Sequence, residues 1–151
     1  MSLPYEVDTK RIMEYLIRKN KKVYVPKVVN SAEMVACEYK GENKLHRNKL
    51  GILEPSSTQQ IPTSRIDVCI IPIVAFDKDL NRVGFGKGYY DRFLKNVSQH
   101  CLKIGVAYHF QKVKRIKTEE HDVKLDIIVT DRFVLLRKNG YRGEYDEKDT
   151  T

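Results

Sequence analysis

The chain has 151 residues, 41% of them hydrophobic and 32% charged, which suits one soluble globular domain and excludes the disordered and fibrous classes. Its 28 Lys and Arg against 20 Asp and Glu leave a net charge of +8. That favours anionic partners without choosing among nucleic acid, phosphates and polycarboxylates, and the cations are scattered, which weakens the nucleic-acid reading. The most apolar stretch, "VCIIPIVAF" (68–76), carries a proline and is far too short to cross a bilayer. "MSLPYEVDTKR" lacks a basic segment followed by an apolar one, so no signal peptide is read there. Cys37, Cys69 and Cys101 are widely spaced with no CxxC pair; they read as reduced core thiols of a cytoplasmic protein, over a metal or redox role.

In chain order, Asp8 or Thr9 caps a helix over "TKRIMEYLIRKN", with Ile12, Met13, Leu16 and Ile17 on one stripe. "KKVYVPKVV" reads as a strand with Pro26 marking its far end or a sheet edge, and "EMVACEY" as a second strand. Residues 40–64 form a long polar connection, a feature that is often functional. "RIDVCIIPIVAF" is apolar without alternation and reads as a strand buried on both faces. "YYDRFLKNVSQ" reads as a helix facing Phe93, Leu94 and Val97 inward; "LKIGVAY", "LDIIVTD" and "RFVLL" read as further strands. Strands alternating with helices predict an α/β fold, a three-layer sandwich with a mostly parallel, Rossmann-like central sheet flanked by helices. Residues 2–138 form the single domain and 139–151 a flexible charged tail.

The stretch "RVGFGKGYYD" (82–91) places Gly84, Gly86 and Gly88 at alternate positions, three of the chain's eight glycines. A glycine-rich turn lets backbone approach a ligand and aims N–H donors at it; here it follows a buried strand and opens a helix, where anions bind. Arg82 and Lys87 suit a polyphosphate, and Asp91, one turn into the helix, lies within reach of Mg²⁺ on the same phosphates. The spacing fits neither a Walker A motif nor the dinucleotide fingerprint, since Tyr89 follows Gly88. The bland alternative is a packing turn with Tyr89 and Tyr90 as core aromatics.

"DKDLNRVGFGKGYYDRFL" resembles the signature of the 5-formyltetrahydrofolate cyclo-ligases, and "EVDT", "KKVYVPKV", "LGILEP", "IDVCIIPIVAFD", "KIGVAYHFQ" and "EEHDVKLDIIVTD" resemble that family's other blocks in order. The likeness implies an ATP- and Mg²⁺-dependent closure of 5-formyltetrahydrofolate, polyglutamylated or not, to 5,10-methenyltetrahydrofolate. By resemblance, Arg82, Lys87 and Tyr89 are catalytic, and Arg82, Gly84, Phe85, Gly86, Lys87, Gly88, Tyr89 and Tyr90 hold the nucleotide. Glu6, Phe85, Gly86, Lys87, Gly88 and Tyr89 hold the folate, and Asp91 and Asp122 hold the Mg²⁺. Each has a bland counterpart: a helix-start carboxylate for Asp91 and Glu6, a loop carboxylate for Asp122, a core side chain for Tyr90. Met34 lines the pterin slot or is simply core, Gln111 matches a family position near the site, and His121 neighbours Asp122. His46, His100 and His109 show no metal-ligand spacing.

Chains of that family usually begin with a basic helix carrying a Lys and an Arg that reach the ATP, then a first strand; this one starts where that strand should be ending. A misplaced start or a truncated chain is favoured, because the remaining motif residues are present. A short homologue completed by a partner chain and a degenerate, non-catalytic folate or nucleotide binder are the competing readings. The expected partners are small molecules, with no nucleic acid and no membrane, in a monomer or homodimer. Tyr89 and Tyr90 sit in a glycine turn instead of interleaving with basic residues as in RNA-binding modules.

Overall fold

The computed structural model describes residues 7–48, 53–84, 87–137 and 147–149. The first helix, α1 (Lys10–Arg18), has Thr9 at its N-cap, but the Thr9 side chain makes no capping bond. Asp8 does that work instead, its Oδ1 accepting the Lys10 N–H at 2.9 Å. Ile12, Met13 and Leu16 are only half-buried and Ile17 is 39% exposed, so the predicted stripe exists without being fully covered.

Strands β1 (Tyr24–Val28) and β2 (Met34–Glu38) pair antiparallel from Tyr24↔Glu38 to Val28↔Met34. Asn30 closes their turn, its Oδ1 accepting the N–H groups of Ala32 and Glu33, each at 2.9 Å. Pro26 lies on the edge strand of this small sheet, where its missing N–H costs no ladder bond. The stretch 40–64 is not a bare connection. It contains the short pair β3 (Leu45–Arg47) and β4 (Leu53–Pro55), and then β5 (Gln60–Ile61), which joins the β1–β2 sheet.

The apolar run 66–76 is likewise not one strand: β6 (Val68–Pro72) ends at its proline and the chain bends into β7 (Ala75–Phe76). Nor is it buried on both faces, since Val68 and Val74 are 48% and 42% exposed while Ile71 and Ile73 are 1%. β7 returns as β8 (Arg82–Val83), with Phe76 opposite Arg82. The turn between them is organised by Asp77, a carboxylate 1% exposed. Its Oδ1 accepts the N–H of Asp79 and Asn81, and its Oδ2 accepts the amide of Asn81 and the N–H of Ile116. Leu80 there has φ +63°, a strained value for a branched side chain that its complete burial offsets.

Helix α2 (Tyr89–Lys95) then leads to β9 (Leu102–Val106), β10 (Ile127–Val129), β11 (Phe133–Leu136) and β12 (Glu147–Asp149). The helix stops short of the expected Gln99; the Thr63 hydroxyl donates to the Asn96 carbonyl at 3.0 Å, and Val97 is half-buried beyond it. The main sheet runs β12-β11-β10-β9-β6. β6, β9 and β10 are parallel, whereas β11 and β12 are antiparallel. The α/β class therefore holds with mixed sheets, and the expected three-layer, mostly parallel Rossmann-like sandwich is not borne out. Among the described residues parallel ladders join only β6, β9 and β10, with an isolated parallel bridge from Phe76 to Lys112, and α2 is the one α-helix between those strands. Residues 147–149, within the stretch read as a flexible tail, pair with β11.

The core lies on this sheet and comprises Ile71, Ile73, Phe76, Leu80, Leu94, Ala107, Leu125, Ile128, Phe133 and Leu135. Gly105 on β9 is required by packing, because a Cβ there would collide with Ile73 and Leu125. Cys101 is buried and its thiol lies 3.6 Å from that of half-buried Cys69 on β6. Burial, then the neighbouring Cys101, pushes the Cys69 thiol up to about 12.

Candidate functional site

The β7–β8 hairpin delivers the chain to the glycine turn, and Gly88, the N-cap of α2, has φ +66°, a left-handed conformation that favours glycine. Beside it lies a cleft of about 350 Å³ lined by Lys87, Gly88, Asp91, Arg92, Lys95 and His121. Three certain cations face one carboxylate there, so the cleft is suited to an anion. Lys87 is exposed, while Gly84 approaches Arg82 so closely that a Cβ would fall 2.9 Å from Nη1.

Arg82 does not line the cleft. Its side chain is 3% exposed and its Nη2 donates to Asp91 Oδ1 at 3.0 Å. Its guanidinium sits 5.9 Å from the ring centre of Tyr90, and Tyr90 packs against the core. The Arg82 Nε is buried with no hydrogen-bond partner among the described residues, an unsatisfied donor directly behind the glycine turn. Asp91 lines the cleft with a carboxylate 20% exposed, and its Oδ1 also accepts the N–H of Val123 at 3.2 Å. That bond brings the loop carrying Asp122 against α2.

The Asp122 carboxylate is turned into its own loop, where Oδ2 accepts the Glu119 N–H at 2.8 Å. His121, the residue before it, reaches the cleft instead, with Nε2 3.1 Å from Glu119 and 3.7 Å from Asp122. Among the described residues no three His, Cys, Asp or Glu side chains converge on one metal position. Tyr89 donates its hydroxyl to the Asn30 carbonyl at 3.2 Å, so its ring bridges from α2 to the β1–β2 turn.

Gln111 is a structural bracket. Its Oε1 accepts the Tyr108 N–H at 2.6 Å and its Nε2 donates to the carbonyls of Ile73 and Val74 at 2.7 and 3.0 Å. The neighbouring His109 donates its backbone N–H to Asp131 at 2.7 Å, which holds that carboxyl below its ordinary range. Met34 opens β2 half-buried. Glu6, Phe85 and Gly86 lie outside the described residues.

Two contributors carry no functional signature in the sequence. Arg92 and Lys95 both line the cleft, three residues apart on α2, so one helical face carries them. The spacing of these two cations was readable, but a basic helix face is usually a solvated one. Asp77 was hidden for another reason: nothing in "FDKDLN" distinguishes a buried carboxylate from an exposed turn residue.

An α/β scaffold with an anion-suited cleft at a glycine turn is the broad class of protein that these elements define. The comparisons narrow it. The profile of the 5-formyltetrahydrofolate cyclo-ligase family matches residues 1–131, and the chain belongs to that family. It is 36% identical over 135 residues to the 5-formyltetrahydrofolate cyclo-ligase of Escherichia coli K12, covering 86% of this chain and 74% of that one. The enzyme of that name from Haemophilus influenzae is also 36% identical, over 82% of this chain and 70% of its own. Among solved structures, a 5,10-methenyltetrahydrofolate synthetase from Aquifex aeolicus superposes with a TM-score of 0.76 at 33% identity, over 95% of this chain and 72% of the other. The Mycoplasma pneumoniae protein of the same name gives 0.68 at 31% identity, over 87% and 70%. These relatives are ligases. Among the described residues no helix is long and apolar enough to cross a membrane.

Proposed function

We propose that this chain closes the ring of 5-formyltetrahydrofolate to give 5,10-methenyltetrahydrofolate, using ATP and releasing ADP and phosphate. One observation carries the reading: in a chain of this family, the cleft beside the glycine turn is rimmed by Lys87, Arg92 and Lys95 with Asp91 in its wall.

The formamide oxygen is a poor leaving group, so the γ-phosphoryl group of ATP passes to it first. N10 then attacks the formyl carbon with its lone pair and loses its proton. The C–O bond breaks, and phosphate departs with that electron pair. Little covalent chemistry falls to the protein; it positions the groups and balances their charge. Lys87 neutralises the transferring group from the cleft. Gly84, Gly86 and Gly88 let the backbone close on the phosphates. Tyr89 lies against the formyl group and pterin, Tyr90 backs the nucleotide side through Arg82, and Phe85 and Glu6 complete the folate contacts.

The donor set fits Mg²⁺, which takes oxygen ligands, one or two carboxylates and substrate phosphates. Asp91 would hold it from the cleft wall, and Asp122, whose carboxylate faces its own loop, would have to turn toward the cleft to join it. Bound there, the ion would offset phosphate charge.

The test is methenyl absorbance in a mixture of protein, 5-formyltetrahydrofolate, ATP and Mg²⁺. Lys87→Ala is expected to lose about 10²-fold or more in kcat, the scale of removing one preorganised charge-stabilising donor. A wild-type trace no steeper than the variant's refutes turnover. Thermal stabilisation by ADP or folate beside such a flat trace identifies a binding module instead.

A further inference from the structure

We propose that Arg92 is a positioning residue that locks the glycine turn and Tyr89 onto the tip of the β1–β2 hairpin; this rests on the cyclo-ligase reading of the site. Its guanidinium makes contacts that a single point charge could not. Nε donates to the Ala32 carbonyl at 2.7 Å, Nη2 donates to the Lys87 carbonyl at 2.8 Å, and the cation lies 5.1 Å from the centre of the Tyr89 ring. Tyr89 in turn donates to Asn30 at 3.2 Å. Two carbonyls from the hairpin tip and one from the glycine turn therefore meet on two side chains of one helix.

The bond to Lys87 has a directional consequence. A trans peptide is planar and sets its carbonyl and the following N–H on opposite sides. Holding the Lys87 carbonyl on Arg92 therefore points the Gly88 N–H away from Arg92 and fixes the aim of a backbone donor in the turn. Gly88 takes part in the same arrangement: a Cβ there would fall 3.1 Å from Arg92 Nη1, and its φ is +66°. A side chain at position 88 would thus press on the guanidinium as well as strain the backbone. Without Arg92, Tyr89 keeps one bond to the hairpin and the Lys87–Gly88 peptide is free to rotate. The hairpin then drifts from the turn, and a displacement of about 1 Å between reacting groups costs about 10²-fold in rate.

The experiment compares wild type, Arg92→Ala and Arg92→Lys for kcat, KM for both substrates, and melting temperature. Arg92→Ala should lower kcat roughly 10- to 100-fold with KM changed less than about threefold. Arg92→Lys should recover little, because an ammonium cannot bridge two carbonyls and stack on a ring. Millimolar guanidinium should partly restore Arg92→Ala and leave wild type unchanged. Combining Arg92→Ala with Tyr89→Phe should cost less than the two losses multiplied together, since both act on one contact. A kcat within twofold of wild type, or a loss that merely follows the unfolded fraction, overturns the proposal.

If the wild type itself is inactive, the cyclo-ligase reading fails, and amide hydrogen exchange decides on Arg92. Faster exchange at Gly88, Ala32 and Glu33 in Arg92→Ala, with Ile128 unchanged, supports the lock. Equal exchange at those amides overturns it.

Discussion

The sheet built on β6, β9 and β10 and the smaller one built on β1, β2 and β5 are held by different means. The first carries the apolar core, in which Ile71, Phe76, Leu80, Leu125 and Ile128 are at most 1% exposed. The second buries Val25, Ala36 and Cys37 within its strands, but α1 beside it has no buried residue, and the hairpin tip is tied to the site by side chains reaching carbonyls, Tyr89 to Asn30 and Arg92 to Ala32. Burial is non-directional and tolerates small shifts, whereas a hydrogen bond weakens steeply with misalignment. The region rich in burial is thus the platform. The region tied by polar contacts is the part whose placement a single substitution can change without unfolding the rest.

Phe76→Ala is the largest test of that contrast. It should destabilise the chain by about 3–5 kcal/mol, as for a filled core position, while Leu16→Ala on α1 should cost less than about 1 kcal/mol. Denaturant unfolding of both decides it, and equal losses would erase the distinction. Asp77→Ala comes next, at about 2–3 kcal/mol, because the N–H of Ile116 and the turn amides of Asp79 and Asn81 lose their acceptor. Its loss should also lower turnover, since the same turn launches β8 toward the glycines; stability lost with full activity would uncouple the two.

The smallest effect concerns Cys69. Its thiol, raised from 9.0 to about 12, stays neutral in the folded chain while the unfolded chain ionises it. The stability it contributes is present below pH 9 and is lost as pH rises from there toward 12. Melting temperatures measured between pH 8 and 10.5 should fall more steeply for wild type than for Cys69→Ala, since the remaining titrating groups are common to both. Parallel curves would show that the thiol is not desolvated.

Much of this was legible in the chain itself. Runs such as 68–72, 102–106 and 127–129 are apolar enough to be strands wherever they pack, and "GFGKGYYD" reads as a candidate ligand turn because glycines at that density let backbone approach a ligand closely. The resemblance to cyclo-ligases rests on the same local strings and was shown by the relatives. Other features were not legible. The break after Pro72 was hidden because a bend inside an apolar run leaves no compositional mark. The antiparallel β11 and β12 were hidden because strand direction is set by how connections close in space. Arg82 reads from sequence as a phosphate ligand; that it is buried against Asp91 follows only from the β7–β8 hairpin folding it under Gly84.

The sequence by itself determined which segments bury their surface and where the chain turns on glycine, because hydrophobic burial and backbone freedom are properties of a residue and its near neighbours. The tertiary structure alone decided that Arg92 meets Ala32 and Lys87, that Asp91 is shared by Arg82 and Val123, and that Asp77 holds Ile116. Those contacts join atoms up to 60 residues apart, and a directional bond exists only once both partners have been carried to the same place.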